Sequence, residues 1–301
     1  MIRVPRQSLR RLRLLVFFAS LGIIVTLGSY MFGSYTSAIA SHADYLTLGF
    51  SHVYVISERQ HTKRRRAMVN QLRFQGIPHG FYPATTVEDI DHPEKRRFWL
   101  GEENWTPAPE NHTEPSELLA TFRSHMNVIS DIVRLEYKSA LVLEDRVDME
   151  VDVKQRMKEM LPRVPPTWEI LYLGHCSSKE DARPTGLHRS LFVSDRPRCT
   201  FAYALSRLGA IRLKRVLDNM WPSPGVAIDQ ALADMIHPMY LEAYSIEPPV
   251  IVQVRPNSPS GSAVGPEIRR AAKPRLLQNS TLHWIGMPSK DALKPRVNMN
   301  I

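Results

Sequence analysis

Strand-like and helix-like patterns alternate through the middle of the chain. Short apolar runs rich in β-branched and aromatic residues predict strands at 53–57, 140–143, 168–173, 200–205 and 240–246. Apolar residues spaced about 3.6 positions apart predict helices at 67–74, 117–137, 153–161, 207–218 and 226–236. Alternating strands and helices indicate an α/β fold, with a mostly parallel sheet that helices cover on both faces.

Polar caps and breaker residues set the expected limits of these elements. Thr62 is the expected N-cap of the first helix, and Ser206 that of the helix at 207–218. Residues 83–116 are rich in Pro, Asp, Glu and His, which indicates a long surface loop with little regular structure. The composition of residues 256–301 indicates a loosely ordered basic tail.

The N-terminal segment has the pattern of a membrane anchor. Five arginines lie within residues 1–13, and a mostly apolar stretch follows at 14–33. A helix of about 20 residues, rising about 1.5 Å per residue, crosses a hydrocarbon core of roughly 30 Å. The basic head is expected to stay in the cytosol, which makes residues 34–50 a lumenal stem. The sequence predicts a single-pass type II protein of the Golgi or endoplasmic reticulum membrane; a signal peptide cleaved after Ala40 is the alternative.

Charge and cysteine content agree with a lumenal domain. The chain has 301 residues and a net charge of +9, but without the five N-terminal arginines only 34 basic residues face 30 acidic ones. That excess is too small to favour nucleic acid as a partner. Sequons at Asn104, Asn111 and Asn279 are typical of a lumenal protein. Cys176 and Cys199 either form a disulfide or remain two buried thiols.

An acidic motif follows the strand predicted at 140–143 and contains Glu144, Asp145, Arg146 and Asp148. In open α/β sheets, ligands bind outside the carboxyl ends of the strands. Carboxylates at that edge can hold a divalent cation, and the cation can hold a diphosphate. An ordinary solvated acidic turn is the alternative interpretation.

Several segments, taken in order, resemble glycosyltransferase family 25, which includes lipopolysaccharide and collagen galactosyltransferases, and above all its fungal membrane-anchored branch. The segments are 53–57, 62–65, 119–126, 141–148, 199–206, 227–230 and 247–253. The resemblance implies a GT-A-like (Rossmann-like) glycosyltransferase domain over residues 51–255. It also implies inverting transfer of a hexose from a UDP-sugar, expected to be UDP-galactose, to a glycan or glycoprotein hydroxyl. A divalent ion such as Mn²⁺ is the expected cofactor.

Arg146 departs from the family pattern, which has a carboxylate at this position. Three interpretations stay open. Glu144 and Asp145 bind a divalent ion, with Asp148 as the third ligand. Alternatively, Arg146 replaces the ion, because a guanidinium grips phosphate oxygens in pairs. In the third, Arg146 pairs with Glu144, and the domain binds glycans or stabilises a partner without catalysing transfer.

Four further residues are candidates for roles in the site. Asp229, near the start of the helix at 226–236, is the candidate general base; stabilisation of the helix N-terminus is the alternative. Arg64 and Arg65 follow the first strand and are candidate phosphate contacts, or else part of a solvated basic helix face. His125 is a candidate contact to the donor, or a structural histidine.

Overall fold

The structure is a computed structural model that describes residues 46–95, 107–109, 112–176, 185–236, 239–254 and 277–286. All of them belong to the unit Tyr45–Ile301. Within these ranges no helix is both long and apolar enough to cross a membrane. The predicted anchor at 14–33 lies outside the described residues, as do Asn104, Asn111 and most of the predicted stem and C-terminal tail.

The described residues form nine strands and seven α-helices. The strands are β1 (His52–Ser57), β2 (Gly80–Pro83), β3 (Ser139–Glu144), β4 (Val147–Met149), β5 (Ile170–Gly174), β6 (Leu191–Val193), β7 (Ala202–Ser206), β8 (Ala243–Ile246) and β9 (Ile251–Gln253). The helices are α1 (Thr62–Phe74), α2 (Val87–Asp91), α3 (Ser116–Arg134), α4 (Val153–Met160), α5 (Arg207–Met220), α6 (Ile228–Ile236) and α7 (Thr281–Trp284). Single 3-10 turns lie at Pro93–Lys95 and Leu161–Arg163.

Seven of these strands form one sheet in the order β2-β1-β3-β7-β5-β8-β6. β1 is parallel to β2 and β3, and β5 is parallel to β8. β7 is antiparallel to both β3 and β5, and β6 is antiparallel to β8. Five strands therefore share one direction, which confirms the predicted mostly parallel sheet. β7 itself corresponds to the strand predicted at 200–205, but its reversed direction in the centre of the sheet was not predicted.

Side chains alternate between the two faces of the sheet, as the period of two in a strand requires. Val142 and Tyr203 belong to the core cluster that also contains buried residues of α3, α5 and α6. Leu141 and Ala204 belong to the opposite cluster, with α1 and α4. Helices therefore cover both faces, which confirms the predicted layer arrangement.

A small antiparallel sheet of β4 and β9 holds part of the C-terminal region. Asp148, a residue of β4 with 0% exposure, accepts hydrogen bonds from the hydroxyl of Ser280 and the backbone N–H of Leu282. Glu150, which is also buried, accepts two backbone N–H groups of the same segment at 2.8 Å each. Residues 277–286, which the composition placed in a loose tail, therefore pack against the domain because buried carboxylates bind their backbone.

Of the two N-caps predicted from the sequence, Thr62 and Ser206, only Ser206 is confirmed. α1 begins at Thr62 itself, and His61 takes the N-cap position without a side-chain cap. Ser206 caps α5 as predicted, with its hydroxyl accepting a backbone N–H of the first turn. Thr86 and Asp89 form a capping box that starts α2 inside the predicted surface loop.

A disulfide joins Cys176, which follows β5, to Cys199, which precedes β7. The bridge confirms one of the two alternatives open for these cysteines. Cys199 has φ of 70°, a left-handed conformation that a residue other than glycine seldom adopts. Its backbone N–H donates to a carboxylate oxygen of Asp229 at 3.1 Å. The covalent bond and this hydrogen bond together hold the chain in that conformation.

Gly174, the last residue of β5, leaves no room for a side chain. A Cβ atom there would lie 2.0 Å from the carbonyl oxygen of Ile251 and 2.6 Å from the ring of Phe201. We expect Gly174→Ala to lower the free energy of unfolding by about 1–3 kcal/mol, the usual cost of overpacking, as measured by urea denaturation. Gly80→Ala is the control, because its nearest neighbour is a side-chain atom of His52 at 3.2 Å, which can move. Equal losses in the two variants would contradict this account.

Candidate functional site

A cleft of about 260 Å³ lies at the carboxyl ends of the parallel strands β1, β2 and β3. Ser57 ends β1, Thr85 follows β2, and residues 144–146 end β3, while α3 contributes His125. Parallel neighbours bring their carboxyl ends to one edge of a sheet, which is the usual place for a ligand in an open α/β fold. The acidic motif therefore borders a cleft at the edge where ligands are expected.

Asp145 is the carboxylate of the cleft that has the most partners. Its Oδ2 accepts a hydrogen bond of 2.7 Å from the hydroxyl of Ser57 and lies 3.6 Å from Nδ1 of His61. Its Oδ1 lies 3.6 Å from Nη1 of Arg64. Only 9% of its side chain is exposed. Asp145 therefore connects the end of β3 to the end of β1 and to the first turn of α1.

Glu144 keeps one carboxylate oxygen available. Its Oε1 accepts a hydrogen bond of 3.2 Å from the hydroxyl of Thr200 and lies 3.6 Å from Nε2 of His125. Its Oε2 has no partner in the part of the chain that the structure describes, and 28% of the side chain is exposed. One oxygen of this carboxylate is therefore held by neighbouring side chains, and the other is available to a ligand.

A buried polar chain stands behind Glu144. His125 has 1% exposure, and its Nδ1 lies 2.9 Å from the hydroxyl of Tyr203. Burial, together with the nearby charge of Glu144, raises the pKa of Tyr203, so the phenol stays protonated and can donate to Nδ1. With Nδ1 as the acceptor, Nε2 carries the proton on the side of Glu144; this placement follows from the hydrogen-bond network. His125 lines the cleft, and the charged group that it contacts there is Glu144.

Of the two arginines predicted to contact phosphate, only Arg64 lines the cleft. Its Nη1 lies 3.1 Å from Nδ1 of His61. The guanidinium of Arg65 lies 4.0 Å from the centre of the Phe81 ring, in a cation–π contact on β2. Successive helical residues point about 100° apart, so two adjacent arginines cannot both face one cleft. The predicted phosphate contact of Arg65 has no support from its position.

Arg146 is half-buried in the cleft lining. Among the described residues it makes no ion pair, and Glu144 contacts Thr200 and His125 instead. The predicted Arg146–Glu144 pair is therefore absent from this arrangement. The backbone of Arg146 is fixed, because its carbonyl oxygen accepts the N–H of Val254 at 2.8 Å. The cleft thus contains a permanent positive charge that forms no ion pair with a carboxylate of the described residues.

Asp148 lies outside the cleft, contrary to its predicted role as a metal ligand. β4 pairs with β9, and the strand geometry directs this carboxylate toward the docked C-terminal segment, where both of its oxygens accept hydrogen bonds. The predicted trio of Glu144, Asp145 and Asp148 therefore does not converge. Across the described ranges, no group of three or more His, Cys, Asp or Glu side chains is placed to hold a metal ion. These residues do not fit a divalent cation as they stand.

Asp229 also lies outside the lining of the cleft. It belongs to the first turn of α6, and its Oδ2 accepts hydrogen bonds of 3.1 Å from Nε of Arg198 and from the backbone N–H of Cys199. The next residue, Thr200, is the one that donates to Glu144. Asp229 is therefore connected to the cleft through the 198–200 segment, in a geometry that favours positioning over proton transfer.

Several residues of the site were not predicted from the sequence. The sequence could have indicated Ser57 and His61, because they lie at the carboxyl end of a predicted strand, as Glu144 does. It could not have indicated Thr200 and Tyr203, because they reach the site through the antiparallel pairing of β7 with β3. No local pattern in the sequence shows that pairing.

The positioning role of Asp229 has a direct test. We expect Asp229→Ala to lower the free energy of unfolding by about 1–3 kcal/mol, because the Cys199 N–H and Arg198 lose their acceptor. Asp229→Asn keeps an acceptor oxygen and should restore most of that loss in urea denaturation. Asp218→Ala, which removes an exposed i,i+4 pair with Lys214, is the control and should have little effect. An Asn variant as unstable as the Ala variant would count against this role.

Comparison with known proteins shows similarity over the segment that forms the cleft. Residues 50–193 match the family model described as glycosyltransferase family 25 (LPS biosynthesis protein). A glycosyltransferase 25 family member of Aedes aegypti is 26% identical over 184 residues, which are 58% of this chain and 30% of that protein. Procollagen galactosyltransferase 1 of Danio rerio is 26% identical over 208 residues, or 65% of this chain and 33% of that protein.

Procollagen galactosyltransferase 2 of Homo sapiens is 24% identical over 190 residues, covering 60% of this chain and 29% of that protein. The chain thus spans about a third of the length of the curated relatives it matches. Among solved structures, a glycosyltransferase involved in the glycosylation of the major capsid of PBCV-1 aligns with a TM-score of 0.35 and 11% identity, over 61% of this chain and 73% of that chain. A TM-score of this size is too low to establish a shared fold. The family match over residues 50–193 is the stronger finding. It covers the cleft residues Ser57, Arg64, His125, Glu144 and Arg146. This cleft therefore lies in a segment similar to glycosyltransferase family 25.

Proposed function

We propose that this protein transfers a hexose from a UDP-sugar to a hydroxyl group of a glycan or glycoprotein, with inversion at the anomeric carbon. The family match over residues 50–193 supports a glycosyltransferase, and the names of two relatives support galactose as the sugar. The observation that carries the proposal is Arg146, a guanidinium without an ion pair among the described residues, in a cleft at the carboxyl edge of the sheet.

Arg146 is assigned to the diphosphate of the donor. A guanidinium keeps its charge at neutral pH and binds two phosphate oxygens at once. Arg64 lines the same cleft and shares its charge with Asp145, so it is the second candidate for this contact. The two cations offset the negative charge that develops on UDP as the bond to the sugar breaks. The charge of the leaving group is then stabilised by the protein's own side chains.

Glu144 is assigned as the general base. Inverting transfer forms a bond from the acceptor oxygen to the anomeric carbon while the bond to UDP breaks, and the acceptor proton must pass to a nearby base. Oε2 of Glu144 is open in the cleft, whereas Oε1 is held by Thr200 and His125. The base predicted from the sequence, Asp229, is assigned the positioning role described above, because its carboxylate is engaged outside the cleft.

The protein is further proposed to act in the lumen of the Golgi or endoplasmic reticulum. The Cys176–Cys199 bridge supports an oxidising compartment. The membrane anchor at 14–33 and the fungal-type membrane-anchored relationship stay predictions from the sequence. The acceptor is proposed by class only, since the chain spans about a third of its curated relatives.

Arg146→Ala is expected to weaken UDP binding by roughly 10–100-fold, because two hydrogen bonds between charged groups are lost. Arg146→Lys keeps the charge but not the paired geometry. It should bind UDP more weakly than the unchanged protein and more tightly than Arg146→Ala. Isothermal titration calorimetry with UDP measures the effect on the full chain. Arg215→Ala is the matched control, because Arg215 is exposed on α5 and makes no ion pair with any described residue.

Hydrolysis of UDP-galactose by the unchanged protein distinguishes the competing interpretations of the acidic motif. We expect hydrolysis of UDP-galactose to continue in the presence of EDTA, since Arg146 replaces the ion. Turnover that disappears on chelation would contradict this assignment and favour a divalent ion at Glu144 and Asp145. UDP binding without turnover under any condition would favour the non-catalytic, glycan-binding or partner-stabilising alternative.

Glu144→Gln is expected to lower the rate of UDP-galactose hydrolysis by about 10²–10⁴-fold, the usual contribution of a general base. UDP affinity should stay the same or rise, because a negative charge beside the diphosphate is removed. Glu117→Gln is the control, since Glu117 also lines the cleft and is exposed on α3. A Glu144→Gln enzyme with normal turnover, or an equal loss in the control, would rule out this role.

A further inference from the structure

A second cavity, of about 540 Å³, lies at the same edge of the sheet, beside β8. Its walls are the 246–248 segment that follows β8, the helix α4, and residues 188–190. The volume is about twice that of the cleft around Arg146 and within the roughly 300–1,000 Å³ typical of small-molecule sites. None of the roles proposed above uses this cavity.

A buried acid borders the cavity. Glu247 has 7% exposure and follows β8, and its Oε1 lies 2.6 Å from Nε2 of His175, whose side chain is fully buried after β5. β5 and β8 are parallel neighbours, so their carboxyl ends bring these two residues together. The pairing with His175 therefore fixes the position of this carboxylate at the wall of the cavity.

The lining of this cavity carries side chains of both charges. Two arginine and three carboxylate side chains line the cavity, and one of the arginines, Arg156, is paired with Asp152 at 2.8 Å. Arg189 is exposed and has no ion pair among the described residues. Nδ1 of His188 accepts a backbone N–H at 3.1 Å, which leaves Nε2 as the nitrogen that can donate to a ligand. The lining therefore offers hydrogen-bond donors and acceptors together.

We propose that this cavity binds a neutral saccharide unit. A sugar hydroxyl both donates and accepts hydrogen bonds, which suits a wall that offers both kinds of group. Glu247 supplies acceptors, and Arg189 and His188 supply donors. Gln278 adds a donor, because its Oε1 already accepts a hydrogen bond from Arg156 and its amide N–H groups remain for a ligand. The inference does not depend on the transfer reaction in the Arg146 cleft.

Ligand-observed saturation-transfer NMR on the full chain tests this site. The probes are the methyl glycosides of galactose, glucose and mannose, each with and without UDP. We expect at least one glycoside to receive saturation and to keep it when UDP is added. Arg189→Ala should weaken that binding by roughly tenfold, for the loss of a hydrogen bond from a charged group. Arg215→Ala is the control and should bind as the unchanged protein does.

Three results would overturn the inference: no saturation of any glycoside, equal binding in Arg189→Ala and the unchanged protein, or displacement of the glycoside by UDP. Glu247→Gln provides a second variant at the buried wall, and its folding is checked by the unfolding curve before binding is compared. UDP binding is measured in the same samples. Glycoside binding without UDP binding would therefore contradict only the proposed function, and UDP binding without glycoside binding only this inference.

Discussion

β7 runs antiparallel between β3 and β5, so its amino end lies beside their carboxyl ends. This pairing lets Cys199 reach Cys176 at the end of β5 and lets Thr200 reach Glu144 at the end of β3. In an all-parallel sheet the residues before β7 would lie at the opposite edge. The disulfide, the Asp229 contact and the orientation of Glu144 all depend on this reversal. The site is therefore a consequence of strand direction as much as of residue type.

Burial gives neighbouring carboxylates of the acidic motif different partners, although their charge is the same. Asp145 is satisfied by three polar neighbours, while Asp148 is buried and held by hydrogen bonds to the C-terminal segment. Among the described residues, one oxygen of Glu144 has no partner and Arg146 makes no ion pair. A buried carboxylate is costly unless hydrogen bonds compensate it, so Asp148 stabilises the fold and is unavailable to a ligand. Of the charged residues of the acidic motif, Glu144 and Arg146 are the ones assigned to the proposed reaction in the cleft.

Two concave surfaces share one edge of the sheet. In the Arg146 cleft, one guanidinium has no ion pair among the described residues, which suits contact with a diphosphate. The cavity at Glu247 offers both donors and acceptors, as a polyhydroxy ligand requires. A sheet with several carboxyl ends at one edge can in this way present sites for chemically different ligands side by side.

Local periodicity in the sequence was enough to predict most strands and helices, the two helical layers and the edge at which a ligand site should lie. It also indicated the cysteines as a possible bridge. Only the tertiary structure decided which arginine of a pair faces the cleft, that Asp148 is buried, and that β7 is reversed. These outcomes depend on contacts such as that between Asp148 and Ser280, which are 132 positions apart. A side-chain pattern specifies an element's exposed and buried faces, but its partner and direction are chosen by the packing of the whole domain.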